Sequence, residues 1–251
     1  MDLSVIVGML GALATISIGD LMEGGNPVHV VHITSLIIVL PTAMAAAAVA
    51  THPHFIKAAF KELKLVFKKS PVDLNQRITQ ILDMALSAKK NGILALEKDI
   101  QNIDDEFFKE AMALVVDGTK AEQIEEKLEA IIEETEEYYH GAAHYWLLAG
   151  ETCPVMGLIG AVLGLILALQ KLDNPAEMAA GIAGAFTATV TGIAGAYIFL
   201  GPWGHKMKAK SKDLIKDKHL IMEGAKGMAN NESLTLLEAK LLSMITPMPS
   251  K

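Results

Sequence analysis

The first fifty residues contain neither lysine nor arginine. A cleaved secretory leader begins with basic residues ahead of its apolar core, so Met1-Asp2 before the first apolar run speaks against one. Cysteine is nearly absent as well: Cys153 stands alone, which excludes an internal disulfide and any multi-cysteine metal site. Placed beside Pro154 in an apolar stretch, with no His/Asp set in company, Cys153 reads as a packing residue and not a nucleophile. There is no Gly-rich phosphate loop, no nucleophile elbow and no zinc motif. The histidines are scattered, His29 and His32 near one boundary and His52 and His54 near another, without metal-ligand spacing. No enzyme, cofactor or metal is expected. The net charge of −7 offers no footprint for nucleic acid, because the basic clusters flank apolar segments. The largest absence is charge itself, which is missing from residues 158–170 and again from 178–204.

Those uncharged runs have the length of membrane spans. A hydrocarbon core of roughly 30 Å needs about 20 helical residues. Four segments qualify or nearly so: residues 3–18, which is short, 28–50, 147–170 and 178–200. The second holds Pro41 and the run Ala45–Ala48, so it is expected to be kinked or closely packed. Lys57, Lys61, Lys64, Lys68 and Lys69 follow the second segment, and Lys206, Lys208, Lys210, Lys212, Lys216 and Lys218 follow the fourth. The positive-inside rule then places 51–146 and 203–251 in the cytoplasm, both short turns outside and both termini inside. The predicted fold is an all-α membrane protein of four transmembrane helices, with a helical cytoplasmic domain inserted between the second and third. Its parts are a first helix pair (1–50), the cytoplasmic domain (51–146), a second pair lining any ion path (147–202) and a cytoplasmic tail (203–251).

Within the inserted domain, Leu74, Ile78, Ile81, Leu82 and Ala85 recur at helical spacing after Pro71 and Asp73, and Asn91-Gly92 and Asp117-Gly118 mark breaks. Residues 120–139 read as a strongly acidic helix, by default a solvated face. The aromatics from Tyr138 to Trp146, and Trp203 later, read as belts at the membrane interface.

The fourth segment is unusual inside. Ala180, Gly184, Ala188, Gly192 and Ala196 recur at every fourth position, as Gly160 and Gly164 do in the third, which is the pattern of close helix approach. Thr187, Thr189 and Thr191 sit among them. A lone membrane threonine is usually bonded back to its own helix, but three at alternate positions favour a polar lining. An ion path usually carries an ionisable group at membrane depth. None lies mid-span, with Glu151, Asp20 and Glu177 all near span ends. Either no ion moves, or another polypeptide supplies the carboxylate.

The run GETCPVMGLIGAVLGLILALQKLDNPAEMAAGIAGAFTATVTGIAGAYIFLGPWGHKMKAKSK closely resembles the MotA-type subunits of flagellar stators, within the MotA/TolQ/ExbB proton-channel family. MDLSVIVGMLG and EYYHGAAHYW are similar to the form found in flagellated epsilon-class proteobacteria. The resemblance implies a subunit of the bacterial inner membrane, five copies of which ring the helices of two MotB-type partners. The partner helix brings the proton-binding aspartate, and the ring turns the rotor protein FliG by coupling proton flow to torque. It further implies that Thr189 faces the aspartate, that Pro154 and Pro202 are the coupling prolines, and that Lys89 and Glu97 form the rotor-facing charged pair. Lys89 replaces the family's usual arginine, which keeps the charge and loses the planar fork. Sodium-driven relatives carry threonine at the positions of Ala161 and Ala188. Bare Na⁺ needs several oxygen ligands, so their absence favours protons. The alternatives are an ExbB- or TolQ-type energiser of outer-membrane processes and a purely structural membrane scaffold.

Overall fold

The structure, a computed structural model, describes residues 2–26, 32–69 and 72–245. Val28 at the start of the second apolar segment, His29 and Pro71 lie outside the described residues. The chain folds as α1 (Leu3–Met22), α2 (Ile33–Val49), α3 (Pro53–Phe67), α4 (Leu74–Asn91), a 3-10 turn (Ile93–Ala95), α5 (Leu96–Ile100), α6 (Glu106–Val116), α7 (Ala121–Leu169), α8 (Pro175–Ala194), a π-helical turn (Gly195–Leu200), α9 (Gly201–Ala229) and α10 (Leu234–Ile245). No strand occurs among the described residues. The helices starting at Leu3, Ala121 and Pro175 are long and apolar enough to cross a membrane, and Ile33–Val49 is a shorter apolar helix.

Local chemistry sets the ends. Asp2 caps α1 by accepting from Ser4 N at 3.2 Å. Asn174 caps α8 by accepting from Glu177 N, and Pro175 fills the first position, where a missing N–H costs nothing. Gly92 (φ +86°) and Gly118 (φ +70°) break the chain at the two dipeptides where a break is predicted.

The chain divides into two compact units, and they do not follow hydropathy. One comprises residues 1–69 and 138–209, the other 70–137 and 210–251. α3 therefore belongs with the apolar helices although its sequence is amphipathic. The reason is visible in its buried face: Ala58, Ala59 and Val66 join Val39, Ala43, Ala47, Ala142, Ala143, Trp146, Cys153, Ala196, Leu200 and Met207 in one core. The acidic helix and the third apolar segment, predicted as separate elements, are one helix, α7, which runs through Pro154.

The aromatic belt reading needs correction. Tyr145 and Trp146 are 2% and 1% exposed. The Trp146 indole donates to Ala59 O at 3.1 Å and the Tyr145 hydroxyl to Met44 O at 3.3 Å, tying α7 to α3 and α2. Trp203 stacks edge-on against Trp146, with ring centroids 5.4 Å apart. An amphipathic ring satisfies a buried carbonyl as readily as a headgroup, and sequence spacing does not distinguish the two.

The second unit packs Ile81, Leu96, Met112, Ile124, Leu128, Ile132, Leu220, Ile221, Leu237 and Leu241 from α4, α5, α6, α7, α9 and α10 into its own core. Its polar centre is Arg77, the sole arginine of the chain. The guanidinium forks onto Asp217 (2.8 and 3.1 Å), reaches Asp105 at 2.7 Å and lies over the Phe108 ring at 5.1 Å. Asp105 also caps α6 through Phe107 N and Phe108 N. One side chain thus binds α4, α6 and α9.

Candidate functional site

The seam between α7 and α8 is built on glycine. A Cβ on Gly192 would meet Cys153 O at 2.9 Å, Gly157 Cα at 3.0 Å and Pro154 Cα at 3.2 Å. A Cβ on Gly164 would lie 3.0 Å from Ala185 N, and one on Gly160 would lie 2.9 Å from Ala188 Cβ. Gly181 approaches Ala168 equally closely. These are backbone and Cβ atoms, which cannot give way, so helix separation here is set by missing side chains.

The predicted small-residue stripe is therefore divided. Gly192 and Ala188 lie in the seam within the chain, and Ala196 is buried nearby in the π-helical turn. Ala180 is exposed, and among the described residues a Cβ on Gly184 would meet only the His32 ring, at 3.9 Å. Ala188, one of the two residues considered for ion choice, is 2% exposed against Gly160, while Ala161 is half-buried. Helix rotation, which spacing leaves undetermined, makes this division.

The three threonines have different partners. Thr191 is buried and donates to Thr187 O at 2.8 Å. Thr187 donates to Gly184 O at 2.9 Å and also touches Ser35 Oγ of α2 at 3.2 Å. Thr189 is half-buried, and its bond back to Ala185 O is 3.4 Å long, beyond the usual hydroxyl range. Of the three hydroxyls, that of Thr189 is the least committed to its own helix.

Pro154 sits inside α7 with its Cα facing Gly192. Pro202 follows the π-helical turn, in which the Gly201 N–H reaches back five residues to Ala196 O. A Cβ on Gly201 would lie 2.7 Å from that oxygen. Pro202 is exposed and lines an open groove of about 310 Å³ with Ser4, Gly8, Tyr197 and Lys206. Lys206 pairs with Asp2 at 2.9 Å and contacts Ser4 Oγ at 3.1 Å, holding the start of α1 to the start of α9. The π-helical turn was not foreseen. Such turns recur at functional sites, and the GlyPro pair at 201–202 was its available signal.

Lys89 and Glu97 lie in the second unit, both exposed. Gly92 ends α4 between them and a 3-10 turn follows, so they do not share a continuous helix. Sequence reasoning also missed Arg77, whose signal was its being the only arginine, and Ser35, which follows Thr34 at the head of an apolar run.

Residues 99–219 match the family model described as the MotA/TolQ/ExbB proton channel family. Motility protein A of Helicobacter pylori is 55% identical over 247 residues, covering 98% of this chain and 96% of the relative. Motility protein A of Bacillus subtilis is 30% identical over 243 residues, covering 96% and 90%. Among solved structures, C. jejuni MotAB superposes with a TM-score of 0.94 at 52% identity, covering 99% of this chain and 97% of that one. The flagellar MotAB stator complex of Bacillus subtilis gives 0.86 at 29% identity, covering 96% and 95%.

Proposed function

Because the chain belongs to the MotA/TolQ/ExbB proton-channel family, we propose that it is the A subunit of a proton-driven flagellar stator in the bacterial inner membrane. It assembles with a MotB-type partner and acts on the rotor protein FliG, in keeping with relatives named for motility and solved as MotAB. The ExbB/TolQ energiser and the scaffold are not favoured, since these relatives match over nearly the full length. The finer reading has five copies around two partner helices, four spans (α1, α2, the apolar part of α7, and α8 with the π-helical turn) and both termini inside. A membrane unit and a cytoplasmic unit remain, with α3 and residues 138–146 in the first and residues 210–245 grouped with the inserted domain in the second.

The observation that carries the site is the weakly held hydroxyl of Thr189, whose bond to Ala185 O is stretched to 3.4 Å. It supports a role beside the partner's aspartate, where the oxygen holds the proton's path or an ordered water. Protonation changes the carboxylate's charge and hence its fit in the ring, and each charge crossing is worth roughly 2.3 kcal/mol per 100 mV. Pro154 and Pro202 pass that change along α7 and α9, and Lys89 and Glu97 meet the rotor. Ala161 and Ala188 carry no side-chain oxygen for Na⁺. The chemistry is reversible protonation of the partner's carboxylate followed by a change of shape, so no catalytic residue is assigned.

Thr189→Val keeps shape and removes the hydroxyl. Motility should be abolished or greatly weakened in complexes that still assemble, Thr189→Ser should retain part of it, and external Na⁺ should make no difference. Full swimming by the valine variant removes Thr189 from the path, and Na⁺ dependence of the native motor overturns the proton assignment.

A further inference from the structure

Between α2 and α8 lies a short chain of hydrogen bonds whose direction can be derived. Thr187 has one hydroxyl proton and gives it to Gly184 O at 2.9 Å. The 3.2 Å contact between Ser35 Oγ and Thr187 Oγ1 must then be donated by Ser35. Ser35, its proton so used, can only accept in its 3.2 Å contact with His32 Nδ1, which fixes a proton on that nitrogen. Ser35 is 3% exposed, so water does not substitute. The string runs His32 to Ser35 to Thr187 to the Gly184 carbonyl, and the imidazole rests over Gly184.

The seam with α7 explains why α8 needs such a string. Glycine and alanine contacts fix how near α7 and α8 come, and they leave the side of α8 toward α2 without a directional bond of their own. A hydrogen bond has direction. Thr189 follows Thr187 by two residues, about 200° around the helix. Holding Thr187 toward α2 therefore turns Thr189 toward the side of α8 facing away from α2.

We propose that Ser35 and Thr187, oriented by His32, are positioning residues for the ion path, setting the rotation of α8 that presents Thr189 to the partner helix. This rests on the reading of Thr189 above. The sole cysteine makes the test clean. In a Cys153→Ser background, Phe186→Cys, Thr189→Cys, Val190→Cys and Ile193→Cys are each paired with a cysteine beside the partner's carboxylate, and disulfide yield is measured in assembled complexes. With the string intact, position 189 should cross-link best. Ser35→Ala or Thr187→Val should lower that yield roughly threefold to tenfold, the range one interhelical hydrogen bond represents, and raise it at flanking positions. Ser35→Thr and Thr187→Ser should restore the native pattern. If neither shortened variant assembles, His32→Leu gives the same comparison from the outer end. An unchanged pattern in assembled Ser35→Ala or Thr187→Val complexes overturns the proposal. A maximum elsewhere than 189 that still shifts with Ser35→Ala overturns only the Thr189 reading.

Discussion

Arg77→Met should open the second unit locally while leaving the apolar unit intact. Removing one partner of a buried ion pair costs about 3–5 kcal/mol, because the other charge stays behind without compensation. Here the stranded group is Asp217, whose side chain is 5% exposed; Asp105 is 35% exposed and keeps its cap on α6. The low end of the range, about 3 kcal/mol, is therefore expected, with the lost contact to Phe108 adding about 0.5–1 kcal/mol. Amide hydrogen exchange on the purified complex measures this directly. Protected amides of α4 and α6 should exchange on the order of 100-fold faster, and those of α8 should not change. Acid should relieve the defect. Burial raises the Asp217 carboxyl above its ordinary 3.8, against the lowering pull of Arg77, and deleting Arg77 raises it further. A carboxyl raised in the folded state contributes stability that is present below 3.8 and lost as pH rises through its folded value. The variant's deficit should thus be greatest at neutral pH and shrink on acidification. Adding Asp217→Leu should recover most of the loss, since a well-packed apolar pair replaces a buried ion pair at little cost. Native exchange in Arg77→Met, or a double variant no better than the single, refutes the argument.

Gly192→Leu should lower the amount of folded chain in the membrane, because its side chain meets backbone of α7 at 2.9–3.2 Å. Gly184→Leu should leave that level normal and reduce co-purification with partner or sister subunits; equal losses would contradict the divided stripe. Lys89→Glu or Glu97→Lys should cut swimming at unchanged membrane levels, exposed charges being worth under about 1 kcal/mol to stability but much to steering. Normal swimming with both reversed would leave them as solvated charges. Trp146→Phe keeps an aromatic ring but removes the indole N–H bonded to Ala59 O, a loss of about 0.5–1.5 kcal/mol, and should lower the midpoint of thermal unfolding of the purified complex.

Much of this molecule is legible in one dimension. Uncharged runs near 20 residues dictate membrane helices, because no other open structure satisfies its backbone in lipid. Glycine before a change of pattern dictates breaks, as at Gly92 and Gly118. The want of a mid-span carboxylate, together with a long motif shared with ion-driven machines, points to a subunit that borrows its ionisable group. What periodicity cannot supply is the rotation of one helix against another. Five small residues at equal spacing look equivalent in sequence, yet Gly192 lies against α7 backbone and Gly184 beneath an imidazole. Three threonines look alike, yet Ser35 engages one, burial takes another, and only Thr189 is left loosely bonded. Arg77 reads as any surface cation until α6 and α9 bring their carboxylates to it from 28 and 140 residues away. Composition and spacing act along the chain and determine which elements form. Which face meets which neighbour depends on contacts between distant segments, and those exist only once the chain has folded.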